Sequence, residues 1–268
     1  MTDMEAKGRV HLQVQSEHLV ASGVSDPGRL RAENEDSIWL DEKGHFVLLC
    51  DGMGGHERGA EASSTAIEVI RKFLAPDVLS EELQDITGVD GVPSEIACLF
   101  SLVDEAVDKA ATVLYERNQE LDLERYMGTT VVGLVMVESE YVLWFHVGDS
   151  RLYLWRDSTL KRLTEDHSAY AEWVNDGKHG SQPGKNVITR AIGPTANVVA
   201  DIGWDQRQKD DTFVICSDGL SDMLSDEEIE GVIKAESDID EAAKQLISLA
   251  NEAGGKDNTS VVICKVKG

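Results

Sequence analysis

The 268-residue sequence predicts an α+β fold, a four-layer α/β/β/α sandwich of two mostly antiparallel sheets flanked by helix pairs. Three observations predict it. Apolar, strand-like runs come in pairs joined by short turns, which makes antiparallel neighbours. The elements run strands, two helices, strands, then helices and a last strand, unlike the alternation of a doubly wound sheet. Two helix pairs, each with one apolar face, need a sheet face apiece to bury it.

Residues 1–9 read as a short disordered tail, and 10–268 as one domain, because no linker, repeat or low-complexity block interrupts them. Residues 18–24 read as a first strand, followed by the loop Ser25-Asp26-Pro27-Gly28-Arg29. Strands at 37–41 and 45–50 are joined by Glu42-Lys43-Gly44. A helix over 59–74 places Ala62, Ala66, Ile67, Ile70, Phe73 and Leu74 on one face, and Pro76 ends it. The stretch 75–93 is turn-rich and acidic. From 94 to about 117 the helical period returns through Ile96, Leu99, Val103, Ala106, Val107, Ala110 and Leu114. Residues 129–137 and 141–147 make a hairpin turning at 138–140, and 151–155 with 160–163 make another. A short helix at 167–176 leads into a polar, Gly-rich loop at 177–186. Strands at 198–204 and 212–216 precede helices at 225–235 and 239–253, the first with Ser225 as N-cap and Glu228 closing a capping box. The last strand is 259–266.

Composition excludes several function classes. Fifty acidic against 25 basic residues give a formal charge of −25, a surface that repels phosphate backbones, so no nucleic-acid partner is expected. Most of that charge reads as solubilising. No apolar run reaches about 18 residues, so no membrane span is expected. Residues 1–7 lack an apolar signal region, and a cytoplasmic location is the expectation. Cys50, Cys98, Cys216 and Cys264 have no close spacing and sit in apolar patterns, as reduced structural thiols do. No CxxC pair supports zinc.

The chemistry lies at strand ends. Three apolar runs stop at an aspartate among small residues: Asp51-Gly52-Met53-Gly54-Gly55, Gly148-Asp149-Ser150 and Asp218-Gly219-Leu220-Ser221-Asp222. A fourth, Asp257, stands just before the last strand. Carboxylates at strand ends converge, and unpaired they repel by several kcal/mol. Hard divalent cations remove that repulsion and take oxygen ligands. Glycine beside Asp51 lets the backbone approach closely, which makes the Gly52 carbonyl a candidate ligand. The pattern points to a two-metal hydrolase, in which ions about 3.5–4 Å apart activate water for in-line attack on phosphorus. The loop 29–36 adds arginines to clamp phosphate bidentately, and Glu35 and Asp36 stand ready to hold the ions' waters.

These pieces are Ser25-Asp26-x-Gly28-x-x-Arg31-x-x-Asn34-Glu35-Asp36, Asp51-Gly52-Met53-Gly54-Gly55-His56, Gly128-Thr129-Thr130, His146-Val147-Gly148-Asp149-Ser150-Arg151, Ser217-Asp218-Gly219-Leu220-Ser221-Asp222 and Asp257-Asn258-x-Ser260. In this order, over about residues 19–265, they resemble the PPM (type 2C) family of metal-dependent serine/threonine protein phosphatases in its bacterial form. The resemblance implies that Asp51 bridges two core ions, Mn²⁺ or Mg²⁺, with the Gly52 carbonyl on the second. Asp218 and Asp257 complete the first, and Asp149, Asp218 and Asp222 form a third, weaker site. Arg31 binds the phosphate. It further implies phosphoserine and phosphothreonine in phosphoprotein substrates, a cognate serine/threonine protein kinase whose action is reversed, and a monomer.

Met53 occupies the position where some eukaryotic relatives carry a histidine proposed as general acid, leaving His56 or an ion-held water for that role. The family's flap corresponds to about 166–190, between Thr164-x-Asp166-His167-Ser168 and Asn186-Val187-Ile188-Thr189-Arg190. Its middle, 177–184, is shorter than in many bacterial relatives, so no substrate preference carries over. Trp173 reads as a helix-packing aromatic and Arg29 as a solvated side chain. A non-catalytic binding protein would have lost Asp51, Asp218 or Asp257, and all three are present.

Overall fold

The computed structural model describes residues 8–54, 58–75, 78, 91–136 and 140–267. One sheet runs β1 (Val10–Gln15), β2 (Leu19–Asp26), β12 (Thr259–Val266), β11 (Thr212–Cys216), β8 (Arg151–Arg156) and β9 (Thr159–Arg162). The other runs β10 (Asp201–Gln206), β7 (Tyr141–Val147), β6 (Val131–Met136), β4 (Phe46–Met53) and β3 (Asp36–Leu40), with the two-residue β5 (Gly128–Thr129) on the end of β4. The pairings between these strands are antiparallel.

Helices α1 (Arg58–Phe73) and α2 (Ser94–Glu120) cover the second sheet, and α5 (Asp226–Ala235) with α6 (Ile239–Glu252) cover the first. Between them lie a short α3 (Ala169–Asn175) and a one-turn α4 (Asp218–Ser221). The predicted four layers are therefore the observed ones.

Strand β4 shows why the layers hold. Val47 and Leu49 point between the sheets, where they meet Leu134, Phe213, Ile215 and Val262. Phe46, Leu48 and Cys50 point the other way, into the stratum made by α1 and α2. A strand buried on both faces reads as a continuous apolar run, which is how it appears in the sequence. On α1, Ala62, Ala66, Ile67 and Ile70 are buried, and removing a side chain such as Ile70 from water is worth about 1.5–3 kcal/mol. The same logic packs Leu246 and Ile247 of α6 against Val261 and Ile263 of β12. Ser225 and Glu228 form the expected capping box at α5.

Differences from the expected elements have local causes. Residues 10–15 form a strand where the sequence predicts none; as a sheet edge it is largely exposed, and only Leu12 and Val14 touch the core between the sheets. Strand β4 continues through Asp51 and Gly52 to Met53, because Gly52 and Met53 pair with Thr129 and Gly128. Strand β10 begins at Asp201 rather than 198, although Val198 and Ala200 are buried. The turn α4 has no counterpart among the expected elements. The tail over 1–7, His56, most of the 75–93 stretch and part of the turn at 138–140 lie outside the described residues. Among the described residues no helix is long and apolar enough to cross a membrane.

Candidate active site

The register of β3 on β4 sets Asp36 opposite Asp51. From there the acidic positions gather at one end of the two sheets. Asp51 is the end of the apolar part of β4; its N–H donates to Thr130 Oγ1 (3.0 Å), and its carbonyl accepts from Thr129 Oγ1 (2.8 Å). Its carboxyl is pushed well above the usual range by burial and then by Asp36, Asp218, Asp149 and Asp257, so all five acidic groups share one neighbourhood. Asp218, at the start of α4, lies within hydrogen-bonding reach of Asp51, and burial together with Asp257 and Asp222 raises it to about 6.

Asp36 is the most enclosed member. Its Oδ2 accepts from Ser217 Oγ (2.8 Å) and Ser260 Oγ (2.7 Å), while Oδ1 is buried with no partner. Burial raises it to about 7, against the lowering effect of the two hydroxyls. Asp149, after Gly148 at the end of β7, is also raised to about 7, by burial first and then by Asp218 and Asp166, and its Oδ1 is likewise without a partner.

Backbones in this region touch where glycine permits. A Cβ on Gly52 would stand 2.1 Å from the carbonyl oxygen of Gly59, and one on Gly219 would stand 2.0 Å from that of Asn258. These contacts draw the Asp51 and Asp218 segments against their neighbours more closely than any side chain allows.

Asn258 ties the remaining pieces together. Its Nδ2 donates to Pro27 O (3.1 Å) and Glu33 O (2.8 Å), and its Oδ1 accepts from Glu35 N (2.9 Å). The loop it holds brings Arg31 Nη2 to 2.6 Å from Asp257 Oδ2, with the Arg31 side chain 47% exposed. Arg29 is exposed, as expected, and also donates from Nε to Asn251 O (3.0 Å). Glu35 stands at the edge of the cluster, where its Oε1 accepts from Gly59 N (2.9 Å) beside the start of α1. Asp222 is exposed at the end of α4 and shares a cavity of about 210 Å³ with Asp149 and Asp218. The structure thus brings together Asp36, Asp51, Asp149, Asp218 and Asp257, places Arg31 and Asp222 at the rim, and uses a Glu35 oxygen to cap a helix.

An oxygen-only set of this kind suits a hard cation. Two of its buried carboxylate oxygens have no donor, and such atoms cost about 1–3 kcal/mol each unless something satisfies them. Like charge raises Asp51 and Asp218 further, the first through Asp36 and Asp218 and the second through Asp257 and Asp222. Divalent ions would relieve both costs, so the residues fit Mg²⁺ or Mn²⁺.

The base of the flap carries a second constellation, absent from the sequence expectations. Arg151 clamps Asp166 from Nε and Nη2 (2.9 and 2.7 Å). The N–H of Gly148 donates to His167 Nδ1 (3.0 Å), and His167 N donates back to Gly148 O (2.9 Å). The His146 ring stacks on it, centroids 4.5 Å apart, and its Nε2 meets the Glu165 carbonyl at 2.9 Å. Asp201 Oδ2 lies 3.2 Å from His167 Nε2, and its other oxygen binds Arg190.

His146, His167 and Asp201 form a ligand-like trio within 4.8 Å. Yet His167 Nδ1 accepts a hydrogen bond from the Gly148 amide, so the single proton of the neutral ring sits on Nε2. Burial lowers the pKa of both rings, His167 being lowered also by His146, which keeps them neutral. Through these bonds the trio clasps the flap to the Asp149 turn. Arg151, His146 and His167 lie inside quoted motifs, but nothing local in the sequence points to Asp201, 34 residues beyond His167. Trp173 packs beside Tyr170, with ring centroids 5.8 Å apart. Met53 faces a separate hollow with Ile188, Pro194 and Val198.

The chain is similar to known proteins in sequence and fold. The family model for protein phosphatase 2C matches residues 31–257. The serine/threonine phosphatase stp of Listeria welshimeri is 36% identical over 247 residues, covering 89% of this chain and 92% of its own. The S. agalactiae serine/threonine phosphatase structure superposes with a TM-score of 0.79 at 32% identity, over 93% of this chain and 100% of that one. The catalytic domain of the phosphatase PstP, solved in complex with two manganese ions, gives 0.75 at 32% identity, over 94% and 99%. With the fold, the motifs and these matches in agreement, the chain belongs to the protein phosphatase 2C family.

Proposed function

We propose that this protein serine/threonine phosphatase hydrolyses phosphoserine and phosphothreonine in proteins with two divalent ions held by Asp51, the Gly52 carbonyl, Asp218 and Asp257. The observation that carries the reading is the convergence of five carboxyls, two of them with buried oxygens that no donor satisfies. Bound there, Mn²⁺ or Mg²⁺ would supply Lewis-acid activation of a water and charge for the phosphoryl oxygens. A relative's structure with two manganese ions supports the choice of metal.

The chain's own residues do the rest. Arg31, held on the loop that Asn258 pins, offers a guanidinium for two phosphoryl oxygens at the rim of the cluster. Asp36 stands opposite Asp51 in the β3–β4 register, with Oδ2 fixed by Ser217 and Ser260 and Oδ1 left without a partner. Glu35 has one oxygen on Gly59 and one left for a water. Asp149 and Asp222, with Asp218, form the third and weaker site at the flap side. Residues 10–268 act as a single catalytic domain with the flap at about 166–190, and the protein works as a monomer against a cognate serine/threonine protein kinase in the cytoplasm.

The test is hydrolysis of p-nitrophenyl phosphate and a phosphothreonine peptide, with chelator, with Mn²⁺ and with Mg²⁺. Turnover restored by the ion and lost in Asp218→Asn is the expected result. Undiminished turnover in chelator would end the two-ion reading. Arg31→Ala should raise KM for the peptide several-fold more than it lowers kcat; an unchanged KM would mean that another residue holds the phosphate.

A further inference from the structure

The cavity beside the cluster has one cation left over. It holds about 210 Å³, and its walls include Asp149, Asp218 and Asp222 on one side and Ser168, Tyr170 and Lys185 of the flap on the other. Two basic residues line it, Arg151 and Lys185. Arg151 is committed, because it grips both oxygens of Asp166 and also reaches the Tyr153 hydroxyl. Lys185 is not: among the described residues it forms no ion pair with a carboxylate, and its Nζ lies 5.5 Å from the centroid of the Tyr170 ring.

A lysine held over an aromatic face loses less freedom when it meets an anion than one waving in solvent. Tyr170 sits on α3, whose start is fixed by the Ser168 cap and by backbone bonds to Val187 and from Thr189 to His167. The charge is therefore placed rather than diffuse.

We propose that Lys185 is a specificity-determining residue that receives an anionic side chain of the substrate, a glutamate, an aspartate or a second phosphorylated residue, close in sequence to the phosphoserine or phosphothreonine being cleaved. The inference rests on the phosphatase reading above, since it needs the phosphorylated residue at the Asp51–Asp218 cluster to set the neighbouring residue against the flap. On a chain of net charge −25, an uncommitted cation among the described residues lining this cavity stands out against its background. The surrounding carboxylates sharpen the selection: Asp166 is taken by Arg151 and Arg162, and the others belong to the ion-binding cluster.

The experiment compares two phosphothreonine peptides, alike except that glutamates flank the phosphothreonine on both sides in one and glutamines in the other. The quantity read is the ratio of kcat/KM for the two, measured with Mn²⁺, in which any general loss of activity cancels. The parent should prefer the glutamate peptide about three- to fivefold, the range of a partly exposed ion pair. Lys185→Ala should bring the ratio to about one, Lys185→Glu should invert it, and Lys185→Arg should keep it. The preference should shrink in high salt. A parent ratio of one, or a preference that survives Lys185→Glu, overturns the assignment to Lys185 while leaving the phosphatase reading intact. No turnover of either peptide by the parent would overturn both.

Discussion

Replacing Asp149 by asparagine tests the electrostatics of the cluster without ions or substrate. The residue is 8% exposed, and its Oδ1 has no partner, so an isosteric amide removes charge without breaking a bond at that oxygen. Burial, then Asp218 and Asp166, raise the folded carboxyl from 3.8 to about 7. At about 1.4 kcal/mol per pH unit this difference amounts to roughly 4 kcal/mol. Between the two values the folded chain holds a proton that the unfolded chain has released. The stabilisation is complete below 3.8 and is lost as pH rises through about 7.

The asparagine variant has no charge to lose at this position. In chelator, the stability of Asp149→Asn relative to the parent should therefore rise between pH 5 and pH 8 by roughly 2–3 kcal/mol, or about 5–10 °C in Tm. The variant should be the more stable of the two at pH 8. Circular dichroism melts at both pH values measure it. A gap between parent and variant that is the same at both pH values, or a less stable variant at pH 8, would show that burial and its acidic neighbours do not raise the Asp149 carboxyl in the folded chain.

Other perturbations probe the scaffold. Asn258→Ala removes two donors and one acceptor at a residue 4% exposed and should cost about 3–4 kcal/mol in urea denaturation, while raising KM through the loosened Arg31 loop; a cost near zero would show that the loop stands without it. Gly219→Ala, whose Cβ would meet the Asn258 carbonyl at 2.0 Å, should lose more than about 3 kcal/mol. In contrast, Gly231→Ala, inside α5 with open space around it, should gain about 0.5–1 kcal/mol. His167→Asn offers an oxygen to the Gly148 amide and should keep that amide slow to exchange with deuterium, whereas His167→Ala should speed its exchange at least tenfold; equal rates in both would show that the clasp does not depend on the acceptor.

Much of this molecule can be read along its sequence because its signals are local. The continuous apolar run over Phe46–Cys50 marks a strand buried on both faces, and the observed core divides it accordingly. Ser225 and Glu228 signal their capping box from four residues. The aspartates are legible because each interrupts an apolar strand next to a glycine, and the chain supplies this signal at Asp51, Asp149 and Asp218. What stays hidden depends on distant segments. The edge strand Val10–Gln15 alternates apolar and polar residues, yet it is a strand only because β2 offers a partner. Asp36 gives no sign in sequence of the Ser217 and Ser260 hydroxyls that enclose it, from positions 181 and 224 residues away. The His146–His167–Asp201 clasp forms only when β10 pairs beside β7 and the flap base folds back over them, and the engagement of Arg31 with Asp257 only when the loop after β2 meets the approach to β12.

Everything proposed for catalysis depends on Asp51 and its neighbours holding a pair of divalent ions. Titration of the chelator-treated protein with Mn²⁺, followed by electron paramagnetic resonance, reads that pair without relying on turnover. Two tightly held, magnetically coupled Mn²⁺ per chain are expected in the parent, with a third bound more weakly. The coupled pair should be lost in Asp51→Asn while the protein remains folded by circular dichroism. An Asp51→Asn variant that still binds the coupled pair as the parent does, or a folded parent that binds no Mn²⁺, would overturn the assignment.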